Sequence, residues 1–213
     1  MRSLPDFSFE EKLWEKGVEI VAGIDEVGRG ALAGPVTTGC VVFKPNFPIS
    51  SIGEFITDSK QLPPAKRQRA SIWIKEHCLA WSIGHSSVAE INREGIVKAT
   101  NKAFRRALKL LSNYPSIHLL SDAFYLPYTA SLGIKKQTPI IKGDCLSLSI
   151  AAASIIAKVE RDHIMTQLGT LPPYIVYGWH KNKGYGTLLH RQAIKTHGPS
   201  RHHRKLFVRK FLV

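Results

Sequence analysis

The sequence predicts an α/β fold in which helices flank a central β-sheet. Apolar, β-rich runs alternate along the chain with segments of helical periodicity, which is typical of layered α/β proteins. The chain has 213 residues with a hydrophobic content of 44%, which is enough for one large core. Its last quarter differs in composition, because residues 163–213 contain nine Lys or Arg and no acid. We therefore predict a core domain over residues 1–170 and a basic helical lobe, packed on that core, over residues 171–213.

The first half of the chain predicts three strands and two helices. An amphipathic segment that ends at Gly17 predicts a short N-terminal helix. Two β-rich runs are separated by Gly-Arg-Gly and Gly34-Pro35, so we expect neighbouring strands of one sheet. In chain order, the predicted elements are a helix over 7–16, strands over 18–27 and 32–43, a loop over 44–51, a basic helix over 65–76 and a strand over 79–88.

The second half predicts two strands and four helices. Apolar residues at intervals of three and four predict a helix over residues 96–111, whose opposite face carries Lys98, Lys102, Arg105 and Lys109. That basic stripe is either a solvated face or a contact for a phosphate backbone. The remaining predicted elements are strands over 117–121 and 139–142, a buried helix over 146–165, and helices over 187–196 and 205–211.

Charge and cysteine content narrow the class of protein. With 30 Lys and Arg against 16 Asp and Glu, the net charge of +14 favours a polyanionic partner such as nucleic acid; a generally basic protein is the alternative. Cys40, Cys78 and Cys145 form no CxxC motif, which argues against a zinc site or disulfides and favours a cytoplasmic setting. No secretory signal is visible, and the longest apolar run, residues 150–157, is too short for a bilayer. We expect no membrane association and a monomer.

Acidic residues stand at the ends of apolar, strand-like runs. Asp25 and Glu26 end the first run, and the only acids over residues 95–159 are Asp122 and Asp144, each after a further run. Ligands bind at strand ends in open α/β sheets, so the four carboxylates are candidates for one site. Clustered carboxylates repel one another unless a cation binds, and hard oxygen ligands favour Mg²⁺ or Mn²⁺ over Zn²⁺. Two such cations about 3.5–4 Å apart activate water and stabilise the leaving oxygen in phosphodiester hydrolysis.

Each acid also has a structural interpretation that the sequence leaves open. Asp25 is alternatively an ordinary strand-end acid, and Glu26 points to the opposite face of the sheet unless the strand ends or bulges there. Asp122 is alternatively a turn cap. Asp144 precedes a helix, where Asp is a favoured N-cap. Asp162 lies late on a helix among other charges, which favours a salt bridge.

Two glycine-containing segments are candidates for substrate contacts. Gly28-Arg29-Gly30 follows the acid pair, and there both backbone and guanidinium are suited to a phosphate. Residues 181–186, Lys-Asn-Lys-Gly-Tyr-Gly, predict a basic loop with an exposed Tyr185. In such a loop lysines contact phosphates and the tyrosine stacks on a sugar or base, whereas the alternative is a tyrosine packed on a turn.

The chain resembles bacterial ribonuclease HII, of the type 2 ribonuclease H family. The opening signature is residues 23–36, Gly-Ile-Asp-Glu-Val-Gly-Arg-Gly-Ala-Leu-Ala-Gly-Pro-Val. The resemblance covers residues 18–207. It continues in order through Asp58-Ser59-Lys60, Ser121-Asp122, Lys142-Gly143-Asp144, Arg161-Asp162 and Asn182-Lys183-Gly184-Tyr185-Gly186-Thr187.

The resemblance implies an RNase H-like fold, with a central mixed β-sheet flanked by helices and a C-terminal basic helical lobe. It implies hydrolysis of the RNA strand of RNA–DNA hybrids, including a single ribonucleotide embedded in duplex DNA, with 3′-hydroxyl and 5′-phosphate products. Gly28, Arg29 and Gly30 would read the ribose 2′-hydroxyl, which distinguishes RNA from DNA. Tyr185 would pack on the sugar at the RNA–DNA junction, and Lys60 is a further implied substrate contact. The implied catalytic residues, which also bind Mn²⁺ or Mg²⁺, are Asp25, Glu26, Asp122 and Asp144.

Two alternative functions follow from the same sequence. A ribonuclease HIII has a similar core but usually an extra N-terminal domain, whereas only about 17 residues precede the first predicted strand here. A non-catalytic nucleic-acid-binding module would account for the basic lobe. It would not account for acids at three strand ends, because those oppose binding of a polyanion.

Overall fold

The fold is a mixed five-stranded sheet with helices on both faces. The computed structural model describes residues 4–48, 56–57, 59–111, 114, 116–127 and 132–212. The strands are β1 (Ile20–Val27), β2 (Val36–Val42), β3 (Ala80–Ser86), β4 (Ile117–Asp122) and β5 (Gln137–Ile140).

The strand order is β3-β2-β1-β4-β5. Antiparallel pairing joins β1, β2 and β3, while β4 runs parallel to β1 and β5 runs parallel to β4. The α/β class and the adjacency of the first two strands are therefore confirmed.

Helices cover the sheet from both sides. One face is covered mainly by the long helix that the sequence predicts to be buried, and the other by the helix with the basic stripe. In the described residues the α-helices are α1 (Ser8–Trp14), α2 (Pro64–His77), α3 (Val88–Glu94), α4 (Ile96–Leu108), α5 (Leu148–Thr170), α6 (Trp179–Asn182), α7 (Leu188–His197) and α8 (Lys205–Val208).

Side chains alternate between the two faces along the central strand β1. Ala22 and Ile24 belong to the cluster that includes Phe104 of α4, whereas Val21 packs with Ile150 of α5. Gly23 lies so close to the α5 backbone that any side chain would collide with it. The same alternation places Asp25 on the α5 side of the sheet.

The structure differs from the predicted element bounds in several places. Residues 32–35 are not part of β2, because their backbone binds the C-terminal segment: the Leu32 N–H donates to the Gly184 carbonyl at 2.8 Å and the Gly34 N–H to the His202 carbonyl at 2.9 Å. The short helix α3 was not predicted, although a capping box formed by Ser87 and Glu90 starts it. The strand predicted over 139–142 ends at Ile140. Part of the predicted loop, residues 49–51, lies outside the described residues.

Ion pairs neutralise part of the basic stripe on α4. Lys102 pairs with Glu90 at 3.3 Å and with Glu94 at 2.8 Å, and Arg106 also binds Glu90 at 2.8 Å. These contacts join α4 to α3. Lys102 of the stripe therefore contributes to a contact between two helices.

Residues 171–212 pack on the core through a shared apolar cluster. Trp179 is fully buried, and it lies in one cluster with Leu32, Met165, Ile194 and Val208. The segment therefore covers the loop after β1 and the end of α5. None of the helices in the described residues has the length and apolar character of a membrane span.

A buried histidine pair in this segment predicts acid sensitivity. The Ser200 N–H donates to His203 Nδ1 at 2.9 Å, so the other ring nitrogen carries the proton and donates to His190 Nε2 at 3.1 Å. Burial, together with the neighbouring His190 and His202, lowers the pKa of His203 to about 4. An unfolded histidine has a pKa of about 6.5. The unfolded chain therefore binds more protons between these values, and stability falls as the pH drops from about 6.5 to about 4.

We expect the His203 contribution to the free energy of unfolding to be about 2 kcal/mol smaller at pH 5 than at pH 7.5. Urea unfolding at both pH values measures it, because His203→Gln removes the titration and should reduce the pH dependence by that amount. An equal pH dependence in the two proteins would contradict the assignment.

Candidate active site

The acids Asp25 and Asp122 lie at the carboxyl ends of two neighbouring parallel strands. Ile24 of β1 is in register with Ser121 of β4, so the two aspartates are the next residues along adjacent strands. The charges of Glu26 and Asp122 both act on Asp25, and the charge of Asp122 acts on Glu26. The structure thus places three of the four predicted carboxyl groups within range of one another's charge.

Asp25 is the most strongly perturbed of these acids. Its side chain is buried, its Oδ1 accepts the Glu26 N–H at 2.7 Å, and Ser154 of α5 donates a further hydrogen bond. Burial, together with the negative charges of Glu26 and Asp122, raises the pKa of Asp25 to about 8. A carboxyl group in this environment is stabilised by a proton or by a cation.

Glu26 and Asp122 are less buried than Asp25, and each has a partner. Glu26 Oε1 lies 3.3 Å from Nη1 of the half-exposed Arg29, yet burial raises the pKa of Glu26. Asp122 Oδ1 accepts the Gly143 N–H at 2.9 Å, which ties the end of β4 to the turn that carries Asp144. The strand alternation predicts that Glu26 faces away from Asp25. Glu26 nevertheless lines the same cleft as Lys158 and Ser154 of α5, and Ser154 binds Asp25.

Asp144 does not cap the following helix. It is buried in a short 3₁₀ turn, Gly143–Cys145, whereas the Ser147 side chain accepts the Ile150 N–H and caps α5. The N-cap interpretation of Asp144 is therefore wrong. Its Oδ2 lies 3.0 Å from Nζ of Lys60, so the Asp144 carboxylate forms a salt bridge with a lysine that is largely exposed to solvent.

The four carboxyl groups are not preassembled around one point. Within the described ranges, no group of three or more His, Cys, Asp and Glu side chains has the spacing to hold a metal ion. Arg29 binds Glu26 and Lys60 binds Asp144, so two of the four acids are turned toward basic side chains. Of the predicted Asp58-Ser59-Lys60 motif, Asp58 lies outside the described residues.

Left-handed backbone conformations occur beside three of the predicted site residues. Ala123 follows Asp122 with φ 60°, Lys142 precedes Gly143-Asp144 with φ 58°, and Lys183 precedes Gly184-Tyr185 with φ 52°. Residues with a Cβ pay roughly 1 kcal/mol or more for this region, and such strain concentrates at functional sites. The pattern is independent support for a site at these turns.

The Gly28-Arg29-Gly30 motif forms a tight turn after β1. The Ala31 N–H donates to the Gly28 carbonyl at 3.2 Å, which leaves Arg29 and Gly30 exposed at the tip. The two glycines differ in their surroundings. Gly28 has φ 89°, and a Cβ there would collide with the Arg161 guanidinium, whereas a Cβ on Gly30 would meet nothing within 4 Å.

Tyr185 is half-buried rather than exposed as predicted. Its ring lies over two cations of α5, with 5.5 Å to Lys158 Nζ and 5.2 Å to Arg161 Cζ. Its carbonyl accepts a hydrogen bond from His190 Nδ1 at 2.9 Å. Lys183 is not free for a phosphate, because its ammonium donates to the His180 carbonyl at 2.6 Å and also contacts Thr166.

A cleft of about 650 Å³ runs from the end of β1 to the loop that carries Tyr185. Its walls include Glu26, Lys60, Lys158 and Tyr185. Asp162 binds Lys158 at 2.7 Å and Arg67 at 3.5 Å, as the salt-bridge interpretation predicts.

Sequence reasoning missed several contributors to the cleft and its surroundings, although Ser154 gives a signal as a polar residue in an otherwise apolar helix. No role was predicted for Ser59, Arg67, Ser154 and Lys158, nor for the buried Arg161 and Arg204.

Comparison with known sequences identifies the family. The family model described as Ribonuclease HII matches residues 22–211. A ribonuclease HII of Moorella thermoacetica is 44% identical over 202 residues, which cover 94% of this chain and 92% of that protein. A ribonuclease HII of Bacillus mycoides is 46% identical over 199 residues, with 93% and 73% covered.

Solved structures show the same fold. The ribonuclease H2 from Pyrococcus horikoshii OT3 superposes with a TM-score of 0.69 at 22% identity and covers 90% of this chain and 96% of that one. Bst-RNase HIII in complex with Mn²⁺ superposes with a TM-score of 0.64 at 20% identity, with 90% and 65% covered. The predicted RNase H-like fold is therefore confirmed. With the family match over most of its length, the chain belongs to the ribonuclease HII family of endonucleases, which hydrolyse the RNA strand of RNA–DNA hybrids.

Proposed function

We propose that this chain cuts at ribonucleotides in RNA–DNA hybrids, including a single ribonucleotide embedded in duplex DNA, and leaves 3′-hydroxyl and 5′-phosphate ends. The observation that carries the proposal is the group of carboxyls at the ends of β1 and β4, of which Glu26 lines a cleft rimmed by lysines. Burial and mutual repulsion disfavour these charges, and a perturbed acid in a cleft is a sign of a functional site.

The donor set fits a hard divalent cation. Asp25, Glu26, Asp122 and Asp144 offer only carboxylate oxygens, the ligands that Mg²⁺ and Mn²⁺ prefer. Binding would require Glu26 to leave Arg29 and Asp144 to leave Lys60. The chemistry that such ions supply when bound is activation of a water and stabilisation of the leaving oxygen.

The remaining residues have positioning roles in this proposal. The turn Gly28-Arg29-Gly30 presents its exposed backbone to the ribose, and Arg29, released from Glu26, contacts a phosphate. Lys60, which lines the cleft, is a second phosphate contact once it is released from Asp144. Tyr185 packs on the sugar beside the scissile bond.

The direct test uses a labelled DNA duplex with one embedded ribonucleotide, incubated with Mn²⁺ or Mg²⁺ and with EDTA as the control. We expect one metal-dependent cut on the 5′ side of the ribonucleotide. Cleavage of a long hybrid alone would favour the type HIII activity. No cleavage of either substrate would favour the non-catalytic binding module, whose basic lobe this chain also has.

Removal of the Tyr185 ring should impair cleavage at isolated ribonucleotides. Tyr185→Ala removes the surface that packs on the sugar, and stacking contacts are worth about 1–3 kcal/mol. We expect kcat/KM on the single-ribonucleotide duplex to fall by about 10-fold or more. Tyr185→Phe keeps the ring over Lys158 and Arg161, so it is the matched control and should retain most of the activity. Equal activity of all three proteins would assign the tyrosine to packing alone.

A further inference from the structure

Arg204 lies directly behind the turn that follows β1. It is fully buried, and the partners of its guanidinium are main-chain carbonyls. Its Nη1 donates to the Arg29 carbonyl at 2.8 Å, its Nε and Nη2 donate to the Gly34 carbonyl at 3.0 and 2.9 Å, and its Nη2 also donates to the Pro35 carbonyl at 3.0 Å. A buried charge is costly unless hydrogen bonds compensate it, and here carbonyl dipoles do so.

The main chain around Arg204 is fixed to the same loop. The Arg204 N–H donates to the Leu32 carbonyl at 2.9 Å, and His203 forms a β-bridge with Ala33. The guanidinium therefore reaches the turn from a main-chain segment that is itself hydrogen-bonded to residues 32–34. Because its fork is planar and rigid, four hydrogen bonds leave it little freedom.

The bond to the Arg29 carbonyl fixes the orientation of one exposed donor. Arg29 C=O and Gly30 N–H belong to the same peptide unit, which is planar and trans, so the two groups point in opposite directions. With the carbonyl held against buried Arg204, the Gly30 N–H points away from the protein interior. No acceptor for that N–H is present among the residues that the structure describes.

We propose that Arg204 is a positioning residue for ribose recognition, because it holds the Arg29–Gly30 peptide so that the Gly30 N–H faces the substrate. The inference rests on the proposed role of the Gly28-Arg29-Gly30 turn. It adds Arg204, which is distant in sequence, to the residues that serve this role. Arg204 counts as one of the basic residues of the C-terminal lobe, but its charge serves the turn rather than the lobe's surface.

The second buried arginine provides a contrast. Arg161 donates to the Pro35 carbonyl at 3.0 Å, to the Lys183 carbonyl at 2.9 Å and to the Ala33 carbonyl at 3.1 Å. It therefore ties the loop after β1 to the loop that carries Tyr185. Of the two arginines, Arg204 is the one that binds the peptide at the tip of the turn.

The test compares Arg204→Gln with the unchanged protein on two duplexes of the same sequence, one with a single ribonucleotide and one of DNA only. The readouts are kcat and KM for the ribonucleotide duplex and the inhibition constant of the DNA duplex. We expect kcat/KM to fall by about 10²-fold, the loss typical of a misplaced contact, while the inhibition constant changes less than about 2-fold.

Val208→Ala is the control for a merely structural role. Val208 is buried in the same lobe, and its hydrogen bond to Arg204, from its N–H to the Arg204 carbonyl at 3.1 Å, is a main-chain contact that alanine keeps. This variant should therefore lower the melting temperature and leave both constants unchanged. The inference would be overturned if folded Arg204→Gln kept its kcat/KM, or if the inhibition constant of the DNA duplex rose by the same factor as the loss in kcat/KM.

Two further measurements keep the test decisive. If Arg204→Gln does not fold, Arg204→Lys replaces it in the test. A lysine keeps the charge but lacks the planar fork, so we expect it to lose part of the same activity. In the unchanged protein, the Gly30 amide should be as rigid by NMR relaxation as strand amides, with an order parameter near ~0.85. A value below ~0.6, typical of flexible segments, would contradict the inference without any variant. The variant Gly30→Ala distinguishes failure of this inference from failure of the proposed role of the turn. If the turn does not contact the ribose, Gly30→Ala would be fully active.

Discussion

Replacing Asp122 by Asn is expected to lower kcat for hybrid cleavage by on the order of 10³-fold or more. The substitution removes one negative charge from the group at the strand ends, and the cation stabilisation that such charges support is worth several kcal/mol. The fold should be retained, because an Asn side-chain oxygen still accepts the Gly143 N–H that Asp122 accepts at 2.9 Å. Binding to the hybrid should be retained or strengthened, since the lost charge repels phosphates.

Single-turnover cleavage with saturating Mn²⁺ measures the loss for Asp122→Asn. Glu19→Gln provides the matched control, because it makes the same chemical change at an exposed position just before β1. We expect full activity for Glu19→Gln. Cleavage by Asp122→Asn at the unchanged rate would show that the strand-end acids do not form the catalytic site.

Alanine at the two glycines of the turn is expected to separate folding from recognition. Gly28→Ala should destabilise the protein by about 1–3 kcal/mol or more, because Gly28 has φ 89° and no room beside Arg161. Gly30→Ala should change stability by no more than about 0.5 kcal/mol, since its Cβ would meet no protein atom within 4 Å. A methyl group at the exposed tip nevertheless separates the backbone from a ribose.

We therefore expect Gly30→Ala to lower kcat/KM on a single-ribonucleotide duplex by about 10²-fold, with a melting temperature close to that of the unchanged protein. Thermal unfolding followed by steady-state kinetics tests both parts. If Gly30→Ala is as active as the unchanged protein, substrate does not approach the turn closely. If Gly28→Ala melts at the unchanged temperature, the close packing against Arg161 is not needed for folding.

The sequence predicted the placement of those candidate site residues that depend on local patterns. Asp25 and Asp122 follow apolar runs, and such runs form adjacent parallel strands whose ends meet. The position of Asp144 was harder to predict, because β5 ends at Ile140 and the acid lies in a turn beyond it. A pattern of apolar residues does not show that Ser147, rather than Asp144, caps the next helix.

Contacts between distant segments were not predictable in the same way. Arg204 and Arg161 look like surface charges in the sequence, yet both are fully buried on backbone carbonyls. A carbonyl is present at every residue and gives no sequence signal, so such a pairing leaves no pattern to detect. Tyr185 was predicted to be exposed for the same reason, since the cations beneath its ring come from α5.

The long sequence separation of the Arg204 contacts has a consequence for the order of folding. Arg204 and Gly34 are 170 positions apart, so this contact closes a loop that includes most of the chain. During synthesis the sheet and α5 are complete long before residue 204 exists, and nascent chains fold as their segments emerge. The turn Gly28-Arg29-Gly30, for which we propose ribose recognition, is therefore among the last parts to be ordered. A nascent or truncated chain that ends before residue 204 would carry the acidic group without the fixed Gly30 amide.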